Sequence, residues 1–176
     1  MFWFELTLAS APLHAAHEAR LTDLVYTQVA EGTSLRTLLY VEDNPANLEL
    51  VEQIIERRSD LRLLSAPDGN LGIEYARVYQ PEVILMDINL PGISGIDGMK
   101  ILRGDPSTAH IPIIALSANA VPRDIEKAME AGFFSYLTKP IKVNEFVVVL
   151  DAALESAASA NAIKKGKHDD QPLRDF

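Results

Sequence analysis

Four short apolar runs in this chain each stop at a polar or charged side chain. Val83-Ile84-Leu85-Met86 runs into Asp87, and Leu38-Leu39-Tyr40-Val41 runs into Glu42 and Asp43. Ile113-Ile114-Ala115-Leu116 runs into Ser117, and Phe133-Phe134-Ser135-Tyr136-Leu137 runs into Thr138 and Lys139. Unbroken apolar runs of this length read as strands buried on both faces. A carboxylate placed straight after such a run is pushed to the strand's C-terminal edge, where open α/β sheets keep their sites. If the strands are parallel, three carboxylates, a hydroxyl and an ammonium meet at one rim. That set suits a metal ion and a phosphoryl group.

Helical patterns lie between the runs. Asn44 is a cap residue followed by Pro45 in the first turn, and Leu48, Val51, Ile54 and Ile55 then recur at helical spacing, with Arg57 and Arg58 expected in the last turn. A short strand is expected over Leu61 to Ser65. A second helix starts near Asp68, buries Leu71, Ile73 and Ala76, and stops before Pro81. The stretch from Leu90 to Gly95 is a loop by composition, and Ile96, Met99 and Leu102 mark a third helix. A strand over Ile111 to Leu116 tolerates Pro112 at its start. A fourth helix has Pro122 early, Ile125, Ala128 and Met129 inside and Gly132 as its stop. A fifth has Asn144 as cap and Phe146, Val149, Leu150, Ala153 and Leu154 on one face. Val147 and Val148 favour strand locally, but the cap and the following alanines decide for helix. Five β-α units predict a doubly wound α/β domain, a parallel sheet with helices on both faces.

Composition narrows the function. The 176 residues hold one domain with a real core plus extra chain, and 48% hydrophobic content is ordinary for a globular protein. A net charge of −9 and no basic stripe argue against nucleic acid, which needs clustered Lys and Arg. There is no cysteine, hence no disulfide frame, thiol nucleophile or cysteine metal site. No stretch is long and apolar enough to insert in a bilayer, and the start of the chain lacks the basic region of a signal peptide, so a cytoplasmic location is expected.

The acids set the chemistry. Glu42 and Asp43 are adjacent, and Asp87 is expected on the neighbouring strand, where like charges repel. A divalent cation removes that cost. Oxygen ligands without His or Cys point to Mg²⁺, which keeps several waters. Ser117 offers a hydroxyl and Lys139 a point charge to a transferring phosphoryl group, leaving Asp87 as the nucleophile that forms an acyl phosphate. Taken singly, Ser117 reads as a helix cap for the Ala118-Asn119-Ala120 segment and Lys139 as a surface lysine.

With YVEDNPAN at 40–47, VILMDINLPGISGID at 83–97, IIALSANA at 113–120 and FFSYLTKPIK at 133–142, the chain resembles the receiver domain of two-component response regulators over residues 36–155. Ser117 and Lys139 follow Asp87 by 30 and 52 positions, intervals that agree with the family. The resemblance implies a flavodoxin-like (βα)5 fold with sheet order 2-1-3-4-5. It also implies Asp87 as phospho-acceptor, Asp43 as a direct metal ligand and Glu42 as one acting through water. Asn89 would offer its backbone carbonyl to the metal. Ser117 would move toward the phosphate, Lys139 would contact it, and Tyr136 would be the aromatic switch. The Lys139-Pro140 bond would be cis. A histidine kinase or histidine phosphotransfer protein would be the donor, and a homodimer could form through the face of helix 4, strand 5 and helix 5. Such a domain catalyses its own phosphorylation and hydrolysis.

Residues 1–9 look like the last strand of a histidine kinase ATP-binding domain, which would make the chain the C-terminal receiver of a hybrid kinase. Residues 1–34 are then leader and linker, with a helix from His14 to Ala30, residues 35–156 are the receiver, and residues 157–176 are a disordered tail. His14 and His17 read as solvated linker residues. Too few residues follow the fifth helix for a DNA-binding output module. Two alternatives remain at this level: a phosphohydrolase of the haloacid dehalogenase type, against which the order of the acids argues, and an interaction module that works without phosphate.

Overall fold

The computed structural model describes residues 35–168, with side chains through residue 162. The expectations for residues 1–34, including the kinase-like strand, the linker helix, His14 and His17, lie outside the described residues.

Strands β1 (Arg36–Val41), β2 (Leu61–Ala66), β3 (Val83–Asp87), β4 (Ile113–Ser117) and β5 (Ser135–Thr138) alternate with α1 (Pro45–Ile55), α2 (Gly69–Tyr79), α3 (Gly95–Gly104), α4 (Pro122–Ala131) and α5 (Val143–His168). All strand pairings are parallel, in the order β2-β1-β3-β4-β5. This is the doubly wound, flavodoxin-like arrangement expected. Side-chain alternation along the strands feeds two cores. Leu38, Tyr40, Leu85 and Ile114 pack under α1 and α5. Leu39, Val41, Ile84, Met86 and Ile113 pack under α2, α3 and α4. Every residue of β3 is buried, as is every residue of the neighbouring β4, so Asp87 is carried on a fully enclosed central strand. No helix among the described residues is long and apolar enough to cross a membrane.

Local rules account for most helix ends. Asn44 caps α1 through Ala46 N, Asp68 caps α2 through Leu71 N, and Ser94 caps α3 through Asp97 N. Gly132 ends α4 at φ 110°, the left-handed conformation that glycine adopts without strain. Other expectations need correction. Asn144 is not the cap of α5: the helix begins at Val143, and its first bond runs from Phe146 N to the Lys142 carbonyl. Ser117 caps no helix, because α4 starts at Pro122 and Val121 holds the cap position without a side-chain bond. Met129 is 43% exposed rather than inside. β4 begins at Ile113, with Pro112 before it, where its carbonyl accepts from Ile84 N. Residues 157–168, expected in the tail, continue α5 as helix, and Ala157 is buried. Alanine-rich sequence lets a helix run on once its first turns are docked.

Arg58 does not sit in the last turn of α1, which ends at Ile55. It follows in a turn, where its guanidinium donates to Asp60 Oδ1 at 2.9 Å and to Asp151 Oδ1 of α5 at 2.9 Å. Arg36 also pairs with Asp60. The hydrogen bond from Arg58 is the chief reason the Asp60 carboxyl sits well below the usual carboxylate range. A depressed folded-state pKa stabilises above the unfolded value, and the gain is lost as pH falls through the folded one. We therefore expect Arg58→Ala to lower the urea-unfolding free energy by about 1 kcal/mol at neutral pH, a networked rather than a lone surface pair. The gap to wild type should narrow as pH falls below about 4, where unfolded Asp protonates.

Candidate functional site

Parallel pairing turns strand ends into neighbours. Val41 is in register with Met86, Asp87 with Leu116, and Ser117 with Thr138. Glu42 and Asp43 after β1, Asp87 ending β3, Ser117 ending β4 and Lys139 after β5 therefore share the C-terminal edge. Lys139 Nζ donates to Asp87 Oδ2 at 2.5 Å and to Glu42 Oε2 at 2.6 Å. The Glu42, Lys139 and Asp87 side chains are only 1%, 15% and 6% exposed. Asp43 is exposed and opens the cluster to solvent. Carboxylate oxygens of Glu42, Asp43 and Asp87 all lie within 4.8 Å of one another.

These charges balance only in part, because one ammonium faces three acids. Burial pushes the Glu42 carboxyl up, but hydrogen bonds from Lys139, Tyr40 and Asn47 more than offset it and hold it below the usual range. Burial pushes the Lys139 ammonium down, and its bonds to Asp87 and Glu42 overcome that and raise it. A compact set of oxygen donors with residual negative charge and an open side fits a hard divalent cation that keeps its own waters.

The Asp87 carboxylate is aimed by its neighbours. Oδ1 accepts from Asn89 N at 2.8 Å. The following loop folds back, with Gly95 N donating to the Ile88 carbonyl at 3.0 Å. A Cβ at Gly95 would lie 2.2 Å from the Asp87 carbonyl oxygen and 2.8 Å from Ile88 Cα, so only glycine fits this approach. We expect Gly95→Ala to cost about 2 kcal/mol or somewhat more in urea unfolding, as overpacking against backbone does.

Ser117 is buried, and its Oγ accepts from Asn119 N at 3.1 Å. Asn119 in turn donates through Nδ2 to Asp124 of α4 at 3.0 Å. Tyr136 is partly buried against the core under α2, α3 and α4, and its hydroxyl donates to the Asn119 carbonyl at 2.6 Å. Asn89 is exposed beside Asp87. The Lys139-Pro140 peptide is cis, as expected. Glu42, Asp43, Asp87, Asn89, Ser117 and Lys139 thus lie at this edge, while Tyr136, inside β5 and in register with Ala115, reaches toward it through its hydroxyl. Sequence reasoning missed Tyr40 and Asn47, whose side chains donate to Glu42 at 2.7 and 2.9 Å. The signal for Tyr40 was there: strand alternation puts Leu38, Tyr40 and Glu42 on one face.

Comparison with known proteins agrees with this geometry. Residues 38–151 match the family model of the response regulator receiver domain. The polar-differentiation response regulator DivK of Brucella anthropi is 35% identical over 122 residues, 69% of this chain and 98% of that protein. The receiver domain of a sensor histidine kinase from Pseudomonas aeruginosa, solved with a magnesium ion coordinated in its active-site cleft, is 33% identical with a TM-score of 0.63, covering 69% of this chain and 99% of that one. The signal receiver domain of a signal transduction histidine kinase from Syntrophus aciditrophicus is 26% identical with a TM-score of 0.63, covering 68% and 90%.

Proposed function

The chain belongs to the response regulator receiver domain family of two-component signalling, and from that premise we propose that Asp87 is its phospho-acceptor. An Asp87 carboxylate oxygen attacks the phosphorus of a partner phosphohistidine. The new O–P bond forms as the N–P bond breaks, and the leaving imidazole takes up a proton from water. The observation that carries the reading is the shared lysine: Lys139 lies within hydrogen-bond reach of both Glu42 and Asp87 at a rim the acids occupy. Glu42, Asp43 and Asp87, with the Asn89 carbonyl, would hold Mg²⁺, which when bound neutralises charge on the phosphoryl oxygens. Lys139 neutralises a further phosphoryl oxygen, and Ser117 offers it a hydroxyl.

The output is a shift between two conformations. Ser117 leaves its place beside Asn119 N for the phosphoryl group, the loop around Asn119 reorganises, and the Tyr136 hydroxyl loses its carbonyl partner there. The donor is a histidine kinase or histidine phosphotransfer protein. The proposal extends to a cytoplasmic setting and to a homodimer through α4, β5 and α5, where Met129 and Val148 are exposed apolar residues. It further places the chain at the C-terminal end of a hybrid kinase, a reading supported by the sequence of residues 1–9 and tested by the reading frame upstream of Met1.

The direct test is incubation of the chain with Mg²⁺ and acetyl phosphate, followed by intact mass measurement. The expected result is one phosphoryl group per chain, removed by hydroxylamine and absent when EDTA is added. No gain of phosphate, or a gain that resists hydroxylamine, overturns the assignment.

A further inference from the structure

The segment that joins β4 to α4 gains little from burial. Ala118, Asn119, Ala120 and Val121 are all exposed, and Val121 holds the cap position of α4 without a side-chain bond. Asn119 ties the segment down at three points. Its N–H donates to Ser117 Oγ at the end of β4 at 3.1 Å. Its carbonyl accepts from the Tyr136 hydroxyl of β5 at 2.6 Å. Its side-chain Nδ2 donates to Asp124 Oδ2, in the first turn of α4, at 3.0 Å.

Two of these partners, Ser117 and Tyr136, are the residues whose movement carries the switch proposed above. The third has no place in that reading. Asp124 sits in a helix, with its other oxygen 4.0 Å from Lys127 Nζ. Its bond to Asn119 runs from a helix to a segment without regular structure, so it fixes the Asn119 side chain and, through it, the peptide groups on either side. Those groups are the ones that meet Ser117 and Tyr136. A contact made in only one of two conformations shifts the equilibrium toward that conformation.

We propose that Asp124 is a positioning residue of the switch: by holding the Asn119 side chain it keeps the Asn119 N–H on Ser117 and the Asn119 carbonyl on Tyr136, and so favours the unphosphorylated arrangement. When a phosphoryl group on Asp87 draws Ser117 away, the segment gives up its bond to Asp124 as it reorganises. The inference rests on the phospho-acceptor reading of Asp87 and on the departure of Ser117 from Asn119 N. The Asp124 side chain is 40% exposed, so water can replace the lost donor and the bond acts as a bias rather than a lock.

Asp124→Ala removes the acceptor. With Mg²⁺ and acetyl phosphate below saturation, the initial phosphorylation rate of the full chain should rise about threefold, while Mg²⁺ affinity, set by the acids at the rim, stays within about 1.5-fold. Asp124→Asn drops the charge from the first turn of α4 but keeps an oxygen that accepts from Asn119 Nδ2, so its rate should rise less than about 1.5-fold. A role for Asp124 in the helix alone would give both variants the same gain. In an Asn119→Ala background the bond is already gone, and Asp124→Ala should then change the rate by less than about 1.5-fold. A second readout needs neither metal nor phosphodonor. In the metal-free protein, the Asn119 amide proton should exchange with water about threefold faster in Asp124→Ala and near the wild-type rate in Asp124→Asn. An unchanged phosphorylation rate or amide exchange in Asp124→Ala, equal gains in the Ala and Asn variants, or the same gain in the Asn119→Ala background overturns the role of Asp124. Failure of the wild type itself to gain phosphate would instead overturn the reading of Asp87, and the amide exchange then decides alone whether Asp124 holds the segment.

Discussion

Asp87→Asn is expected to abolish phosphate incorporation from acetyl phosphate, with residual labelling below about 1% of wild type. The amide keeps the volume of the side chain and an oxygen that can still accept from Asn89 N, so the fold and the far-ultraviolet spectrum should not change. It lacks the anionic nucleophile, and no neighbour can replace it. Glu42 is nearly enclosed and already accepts from four donors. Asp43 belongs to the same cluster but is exposed to water. Removing one of three clustered carboxylates should also weaken Mg²⁺ by about tenfold or more in calorimetry without any phosphodonor. The two readouts separate the possibilities. Full labelling of the Asn variant would mean that another residue carries the phosphate, and unaltered Mg²⁺ affinity would mean that the ion does not use Asp87.

The rim was legible because it follows from topology alone. Once the runs ending at Val41, Met86, Leu116 and Leu137 are strands in a parallel sheet, whatever comes next in sequence must share an edge, and sequence states what comes next. The helix starts at Asn44, Asp68 and Ser94 were equally local, decided by one side-chain oxygen and one backbone N–H. What failed was decided at a distance. Arg58 would favour the end of α1, yet two carboxylates, one of them 93 residues away on α5, draw it into a bridge after the helix. α5 starts at Val143, its first bond running to the Lys142 carbonyl, and so passes over the best capping residue nearby, Asn144. Residues 157–168 look like a fraying end in composition, and continuing a docked helix needs far less than starting one. At the site, the positions were readable but the hydrogen-bond assignment was not. Glu42 is met by Tyr40 from its own strand, by Asn44 and Asn47 from the start of α1 and by Lys139 from beyond β5, and only the folded register brings those donors together.

Lys139→Met should be the most destabilising change at the site. Methionine fills the space of the aliphatic stem but leaves Glu42 and Asp87 without their cation while both stay nearly enclosed. Breaking a buried pair in this way costs about 3–5 kcal/mol, because the desolvation of the remaining charges is no longer offset. The pH dependence gives the cause away. In the wild type, Glu42 is held below the usual range, so its contribution is present above the unfolded value near pH 4.3 and fades as pH falls through the lower folded value. In the methionine variant Glu42 keeps its burial but loses the hydrogen bond and the charge of Lys139 that help hold it down, so its folded-state pKa rises toward or past the unfolded one. The deficit should therefore be full at neutral pH and shrink as pH falls and Glu42 protonates, a shallower or reversed slope compared with the wild type. Mg²⁺ should also raise the unfolding midpoint of the variant more than that of the wild type, since the ion supplies charge that the lysine no longer does. Parallel pH slopes for the two proteins in urea titrations, or an equal response to Mg²⁺, would show that Lys139 is a packed side chain and not the counter-charge on which this site depends.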